Sequence, residues 1–212
     1  LELGCGTGEL SRRLAPHVAR VDGVDPSEAM LRVARAAPGG DTPNITWVHS
    51  TAEDFAFTST YSLAVAAESF HWMDATVVMP ALRRVLVPDG RLAIVGRGEE
   101  TPWSAEFHEI IVEYSAYAGP GVFRPRDVPA ELSGARMWEA DERFVTPGVA
   151  FRQRTEDYIE LQHSRASFAR YRMGAARAAE FDEALRRLLT GYAEEGYVTY
   201  ETTVLLAVGR PI

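Results

Sequence analysis

Residues 1–97 alternate short apolar runs with stretches whose apolar residues recur every three or four positions, and no other feature of the chain restricts its fold as tightly. The apolar runs are 1–3, 18–24, 45–49, 63–67 and 92–95, and the helix-like stretches are 9–14, 27–37 and 74–86. Ser27 and Asp74 open the last two, and both are residue types whose side chain caps a helix N-terminus. Strands separated by helices are joined by right-handed crossovers rather than hairpins, so they build a parallel sheet covered on both faces. Pro88-Asp89-Gly90 marks a turn just ahead of the fifth strand.

Beyond residue 98 the pattern changes to helical segments broken at Pro102, Gly119-Pro120-Gly121, Pro125, Pro129, Gly134 and Pro147-Gly148. The closing run 197–209, with 204–208 at its heart, reads as a final buried strand. The expected organisation is therefore an α/β core over 1–98, a mainly helical insertion over 99–196, and a strand over 197–212 that returns to the core sheet.

Leu1-Glu2-Leu3-Gly4-Cys5-Gly6-Thr7-Gly8 is a strand running into a loop with glycine at every second position. Glycines there permit positive φ and let a ligand approach the backbone, although such a loop also serves as a plain turn. A dinucleotide fingerprint needs G-x-G-x-x-G, and counting from Gly4 the sixth position is Glu9. A glutamate there brings negative charge to the place a pyrophosphate would occupy. The loop suits a ligand without phosphates and with positive charge. Asp25 lies twenty-one residues after Gly4, at the end of the second strand. A carboxylate at that spacing accepts both hydroxyls of a ribose, and it also serves as a helix cap.

Several function classes drop out on composition. Cys5 is the only cysteine, so neither a disulfide nor a multi-thiolate zinc site is available, and the thiol suits a reducing, cytoplasmic setting. All 22 basic residues are arginine, which removes the P-loop lysine and every lysine nucleophile. Net charge is −8 and evenly spread, with 13 acids and 9 arginines in residues 1–100 and 17 acids and 13 arginines in 101–212. That distribution argues against a nucleic-acid partner. No apolar run exceeds five residues, far short of the roughly 18–20 that span a bilayer, so no membrane partner is expected. His17, His108 and His163 have no ligand-spaced neighbours, and no metal site is expected.

These motifs together resemble the class I S-adenosylmethionine-dependent methyltransferases, over residues 1–95 and again at the last strand. The family's E/D-x-G-x-G-x-G loop is matched by Glu2, Gly4, Gly6 and Gly8, and its ribose-binding acid by Asp25. The segment after strand three, Thr51-Ala52-Glu53-Asp54-Phe55-Ala56-Phe57, resembles N/D-A-E-x-L-P-F, with Thr51 in place of Asn or Asp and Ala56 in place of proline. The resemblance implies that S-adenosylmethionine is held by Glu2, Leu3, Gly4, Cys5, Gly6, Thr7, Gly8, Asp25, Pro26, Met30, Thr51, Ala52, Glu53 and Ala67. In this role Glu2 helps to hold the methionine ammonium, and Thr51 and Ala52 flank adenine. The implied fold is a doubly wound, Rossmann-like, mostly parallel sheet of seven strands in the order 3-2-1-4-5-7-6, with a helical insertion after strand five. Strand seven would be antiparallel and cover 200–208, and residues 144–153 would supply strand six. The family carries a few tens of residues before strand one, so a further N-terminal segment is expected here.

After strand four, Ala67-Glu68-Ser69-Phe70-His71-Trp72-Met73-Asp74 resembles the A-x-A-F-H-W-F-D run of a small-molecule branch that includes trans-aconitate methyltransferase-like enzymes. The expected activity is methyl transfer to a small-molecule O-, N- or C-nucleophile, with a carboxylate among the options, by a monomer or homodimer. His71 is the candidate general base, because imidazole titrates near neutrality; packing against the cofactor edge is its other reading. The candidate acceptor pocket comprises Phe70, His71, Trp72, Trp103, Tyr114 and Arg165. Trp103, Phe107, Tyr114, Tyr117 and Phe123 recur at near-helical spacing and serve equally as a packed stripe, while Arg165, Arg170 and Arg172 form either an anion-binding cap or a solvated helix face. A dinucleotide oxidoreductase and a non-catalytic S-adenosylmethionine-binding module are the alternatives.

Overall fold

The computed structural model describes residues 1–115 and 126–212. The Gly119-Pro120-Gly121 and Pro125 breaks, with Tyr117 and Phe123, lie outside the described residues. The chain divides into two compact units, one of Leu1–Arg97, Arg126–Val145 and Val204–Ile212, the other of Gly98–Pro125 and Thr146–Thr203.

In the first unit β1 (Glu2–Leu3) lies between β2 (Val21–Asp25) and β4 (Tyr61–Ala67), β3 (Ile45–His49) pairs with β2, and β5 (Leu86–Glu100) pairs with β4, all in parallel. The sheet order continues through β8 (Tyr197–Pro211) to β6 (Trp138–Val145), giving β3-β2-β1-β4-β5-β8-β6. With β8 standing where a seventh strand was expected, this is the anticipated doubly wound order. The chain reverses its direction of travel across the sheet between β1 and β4, which is where open α/β sheets bind ligands.

The crossover helices follow from local chemistry. α1 (Glu9–Leu14) starts at Gly8, and α2 (Glu28–Ala36) is capped by the Ser27 hydroxyl accepting from the Met30 amide at 3.4 Å. α3 (Ala75–Val85) is capped by Asp74, whose carboxylate accepts from the Thr76 amide at 2.9 Å. Its inner face buries Val78, Met79, Leu82 and Val85 against Leu3, Val24, Ala64 and Leu92 of the sheet. The Pro88-Asp89-Gly90 turn lies within β5 as an irregularity: Leu86 pairs with Tyr61, and Arg91 with Leu63.

Two expectations are corrected. Residues 126–145 group with the sheet rather than with the insertion, because Val128 and Leu132 of α5 (Val128–Gly134) and Trp138 of β6 pack into the sheet core. The expected sixth strand over 144–153 is replaced by two strands, β6 and β7 (Val149–Arg154), so the sheet has eight strands. Both pair antiparallel with β8, which at 15 residues is long enough to take two partners in succession. β8 is also less buried than expected: Val198, Tyr200 and Ala207 face inward, while Val204 is 40% exposed.

The second unit contains α4 (Ser104–Tyr114), β7, α6 (Thr155–His163), α7 (Arg170–Met173), α8 (Ala175–Thr190) and the first part of β8. Its own core gathers Trp103, Phe107, Tyr158, Phe181 and Leu185.

Candidate functional site

The loop from β1 to α1 has Gly4, Gly6 and Gly8 at φ +71°, +53° and +73°, a region that side-chain-bearing residues rarely adopt. The three glycines answer to different neighbours. A Cβ on Gly4 would stand 2.4 Å from Ser69 Cβ, and one on Gly8 would stand 2.3 Å from the Trp47 ring. Close packing of the protein on itself explains these two. Gly6 differs, since a Cβ there would meet nothing within 4 Å. The expectation that every loop glycine makes way for a ligand therefore narrows to Gly6, whose open side is a cradle that a Cβ would fill.

The loop is tied to the end of β2. The amides of Gly4 and Cys5 donate to the Val24 carbonyl at 2.8 and 3.0 Å, and the Gly6 amide donates to Asp25 Oδ2 at 2.8 Å. Ser27 N donates to Asp25 Oδ1, also at 2.8 Å. Asp25 is buried, and each of its oxygens keeps a second acceptor lone pair. Glu2 is buried beneath the loop and accepts a hydrogen bond from the fully buried Ser11 hydroxyl. Burial pushes the Glu2 carboxyl up to about 7, against the Ser11 hydrogen bond that favours its charged form. Burial also raises the Cys5 thiol, so it carries no thiolate chemistry.

The remaining cofactor candidates divide by what their side chains do. Leu3 and Ala52 are buried, so Leu3 offers a ligand only its backbone. The Thr7 carbonyl accepts from Arg12, the Pro26 carbonyl bonds the His49 ring, and the Met30 side chain is exposed. Thr51 Oγ1 donates to Asp54 Oδ2 at 2.9 Å and accepts from the Asp54 amide at 3.1 Å, which closes the turn after β3. Glu53 Oε1 accepts from the Asp74 amide at 2.7 Å, linking that turn to the start of α3.

Past Ala67 the backbone turns sharply at Glu68, at φ +52°, and the Glu68 carboxylate accepts from the Arg97 amide at 2.6 Å. Ser69 Oγ donates to the Leu3 carbonyl at 2.7 Å, bringing the loop after β4 against the glycine loop. Phe70, His71 and Trp72 form a 3-10 turn. Phe70 is nearly buried, at 3% exposure, and its remaining surface lines a cleft with Met73 and Val128, whereas Trp72 is 59% exposed. The half-buried His71 ring lies 4.9 Å from the Trp72 ring. Desolvation is the largest influence on His71 and lowers its pKa, with Arg126 acting the same way and Glu68 opposing. The imidazole is thus held toward its neutral, proton-accepting form.

Three pocket candidates belong to the second unit and have structural employment inside it. Trp103 is fully buried and donates from Nε1 to the Tyr158 hydroxyl at 3.2 Å. Tyr114 is buried, with its ring 5.8 Å from that of Phe181. Arg165 Nη2 lies 2.8 Å from both Glu99 oxygens, and Arg170 pairs with Glu160 and Asp182. These two guanidiniums already face carboxylates of their own chain, so the anion-binding cap is replaced by internal ion pairs; Arg172 bonds the Tyr171 hydroxyl. Among the described residues no group of three His, Cys, Asp or Glu side chains is placed to hold a metal ion.

Sequence reasoning missed Ser11, Trp47, Ser69 and Arg126. Ser11 carried a signal, being a small polar residue on the inward face of a helix beside an acid in the adjoining strand. Trp47, Ser69 and Arg126 act across long sequence separations that no local pattern marks; Arg126 Nη1 donates to the His71 carbonyl at 3.0 Å.

Residues 1–90 match the methyltransferase domain family. Over 114 residues the chain is 38% identical to an uncharacterised methyltransferase of Mycobacterium tuberculosis, covering 52% of this chain and 45% of that protein. It is 36% identical over 97 residues to the trans-aconitate 2-methyltransferase of an Azoarcus species, covering 44% and 37% of the two chains. The chain spans about half the length of the first of these relatives. A methyltransferase from Geobacter sulfurreducens solved with S-adenosyl-L-homocysteine superposes with a TM-score of 0.55 at 17% identity, over 100% of this chain and 83% of that one, and so shares the fold.

Proposed function

Because residues 1–90 belong to the class I S-adenosylmethionine-dependent methyltransferases, we propose that this protein transfers a methyl group from S-adenosylmethionine to a small-molecule acceptor. The observation that carries the reading is the open face of Gly6 beside the Asp25 carboxylate, at the point where the sheet reverses between β1 and β4. When bound, the cofactor supplies a methyl group on a sulfonium, which leaves by in-line displacement.

The donor set fits such a ligand. Asp25 has lone pairs left for two ribose hydroxyls, and Gly6 leaves its backbone open to close approach. Glu2 sets a buried carboxylate beside the loop, and the guanidinium on the loop, that of Arg12 on the Thr7 carbonyl, is already paired with Glu9, an environment that favours a cation and discourages a pyrophosphate. Ala52, after β3, and Ala67, the last residue of β4, supply small surfaces, while Leu3, Cys5, Thr7, Gly8, Pro26, Met30, Thr51 and Glu53 frame the site through backbone and turn contacts.

His71 takes the proton of an acceptor hydroxyl or amine as the nucleophile attacks, since desolvation keeps its imidazole neutral. Displacement at a sulfonium methyl asks little else of a protein than alignment and exclusion of water, in keeping with the lack of any Ser-His-Asp arrangement at this loop. Arg126 steadies the turn through the His71 carbonyl. The sole thiol, buried and protonated, suits a cytoplasmic setting. Among the described residues no helix is long and apolar enough to cross a membrane.

Calorimetry with S-adenosylmethionine, S-adenosylhomocysteine and NAD tests the reading. Binding of the first two with no response to NAD is expected; tight NAD binding alone would sink it in favour of an oxidoreductase. Release of S-adenosylhomocysteine in the presence of hydroxylic, amine and carboxylic acceptors separates an enzyme from a binding module.

A further inference from the structure

Within the first unit a cleft opens beside the Phe70–Trp72 turn, between the start of α3 and α5. Its walls are Phe70, Met73, Val128, Leu132 and Met137, and among the described residues the charged groups lining it are Arg126 and Glu131. Met73 connects this cleft to the glycine loop: its Cε lies 3.7 Å from where a Cβ on Gly4 would stand. One methionine side chain thus separates the cleft from the backbone that would carry the methyl donor.

The charge at the cleft is already neutralised. Arg126 Nε lies 3.0 Å from Glu131 Oε2 and Nη2 lies 2.5 Å from the same oxygen, while Nη1 is engaged by the His71 carbonyl at 3.0 Å. A carboxylate entering here would meet the Glu131 charge with the matching guanidinium occupied, and a fork already filled by one carboxylate is a poor receptor for another. Burying an anion on the Met and Leu surface beyond it, without a partner, is strongly unfavourable because the lost hydration is not replaced. An uncharged body loses nothing by entering and gains the burial of its apolar surface.

Resting on the methyltransferase reading above, we propose that the acceptor is an uncharged, mainly apolar molecule whose body docks in this cleft, with its nucleophilic atom directed past Met73 toward the glycine loop. The Arg126–Glu131 pair acts as the selectivity element that turns carboxylates away. This departs from the carboxylate acceptor that the arginines of the sequence suggest.

A matched pair of probes tests it: 1-naphthol, uncharged at neutral pH, and 1-naphthoate, with the same ring and a negative charge. Binding is followed by fluorescence on the full chain saturated with S-adenosylhomocysteine. Naphthol should bind at least tenfold more tightly than naphthoate. Ala135→Trp and Ala75→Phe, which fill the cleft from positions outside the buried core, should each weaken naphthol binding at least tenfold while leaving S-adenosylhomocysteine affinity unchanged. Glu131→Gln frees the guanidinium and should improve naphthoate binding severalfold. Naphthoate binding as well as naphthol, naphthol binding insensitive to both filling variants, or no naphthol binding by the S-adenosylhomocysteine-loaded protein overturns the proposal. Failure to bind S-adenosylhomocysteine at all overturns the methyltransferase reading beneath it, and the two failures are seen in separate titrations.

Discussion

The Gly6 amide donates to the Asp25 carboxylate over 2.8 Å, joining the one loop glycine with an open face to the acid at the end of β2. Asp25→Ala removes the ligand's acceptor and the tie that shapes the cradle together. Cofactor affinity should fall by about 1–3 kcal/mol, or roughly 5- to 150-fold. Calorimetry with S-adenosylhomocysteine checks this, and an unchanged affinity would remove Asp25 from the site.

Alanine at the three loop glycines should separate packing from binding. All three variants carry the cost of positive φ, about 1–2 kcal/mol each. Gly4→Ala and Gly8→Ala add overpacking of about 1–3 kcal/mol against Ser69 and Trp47. Gly6→Ala adds no such clash, so its urea midpoint should exceed those of the other two. Its ligand affinity should nonetheless fall, because the new methyl fills the cradle.

Glu2 makes stability fall with rising pH. Its carboxyl titrates near 7 in the folded chain against an ordinary 4.5, so the folded state holds the proton more tightly. The contribution is fully present below about pH 4.5 and is lost as pH rises through 7, and it amounts to about 3 kcal/mol at most. Urea midpoints at pH 5 and pH 8 should differ less in Glu2→Gln than in the parent. A cationic ligand favours the ionised carboxylate, so its binding should release a proton near neutrality and weaken as pH falls below 7. Calorimetry in buffers of different ionisation enthalpy reads that proton.

Trp103 should prove structural. It is fully buried in the core of the second unit, and Trp103→Ala should cost about 3–5 kcal/mol. Because its employment is packing against Tyr158 rather than ligand contact, S-adenosylhomocysteine affinity measured well below the melting temperature should stay within twofold of the parent.

The parts of this protein that were legible in sequence are those whose cause is local. Helix α1 and strand β3 occupy residues 9–14 and 45–49 as their periodicity predicts, and Ser27 and Asp74 cap the helices they precede, because propensity, spacing and capping act within a turn or two. The glycine loop and Asp25 were visible for the same reason. β6 was missed because all but its first residue is exposed, so no alternation marks it, and its pairing with β8 joins residues 60 or more positions apart. Arg165 looked available for an anion because its partner, Glu99, stands 66 residues away. Ser69 escaped notice although its contact with Leu3 spans the same separation and forces glycine at position 4.

His71 is the residue whose role a pH profile can decide. Its ring is half-buried, desolvation lowers its pKa from the ordinary 6.5, and Arg126 acts in the same direction more weakly than burial. A base must be unprotonated to act, so kcat/KM should rise with pH along a limb whose midpoint lies below that ordinary value and then level off. With a hydroxylic acceptor identified, His71→Gln should remove this limb and lower kcat by about 100-fold or more, the usual contribution of a placed proton acceptor. The same variant should leave S-adenosylhomocysteine affinity nearly unchanged, since the side chain serves the acceptor rather than the donor. Arg126→Ala removes a neighbouring positive charge and should move the limb toward higher pH, an effect that a purely packing histidine would not transmit to the rate. A profile identical in parent and His71→Gln would assign the histidine to packing and leave the nucleophile to lose its proton directly to water.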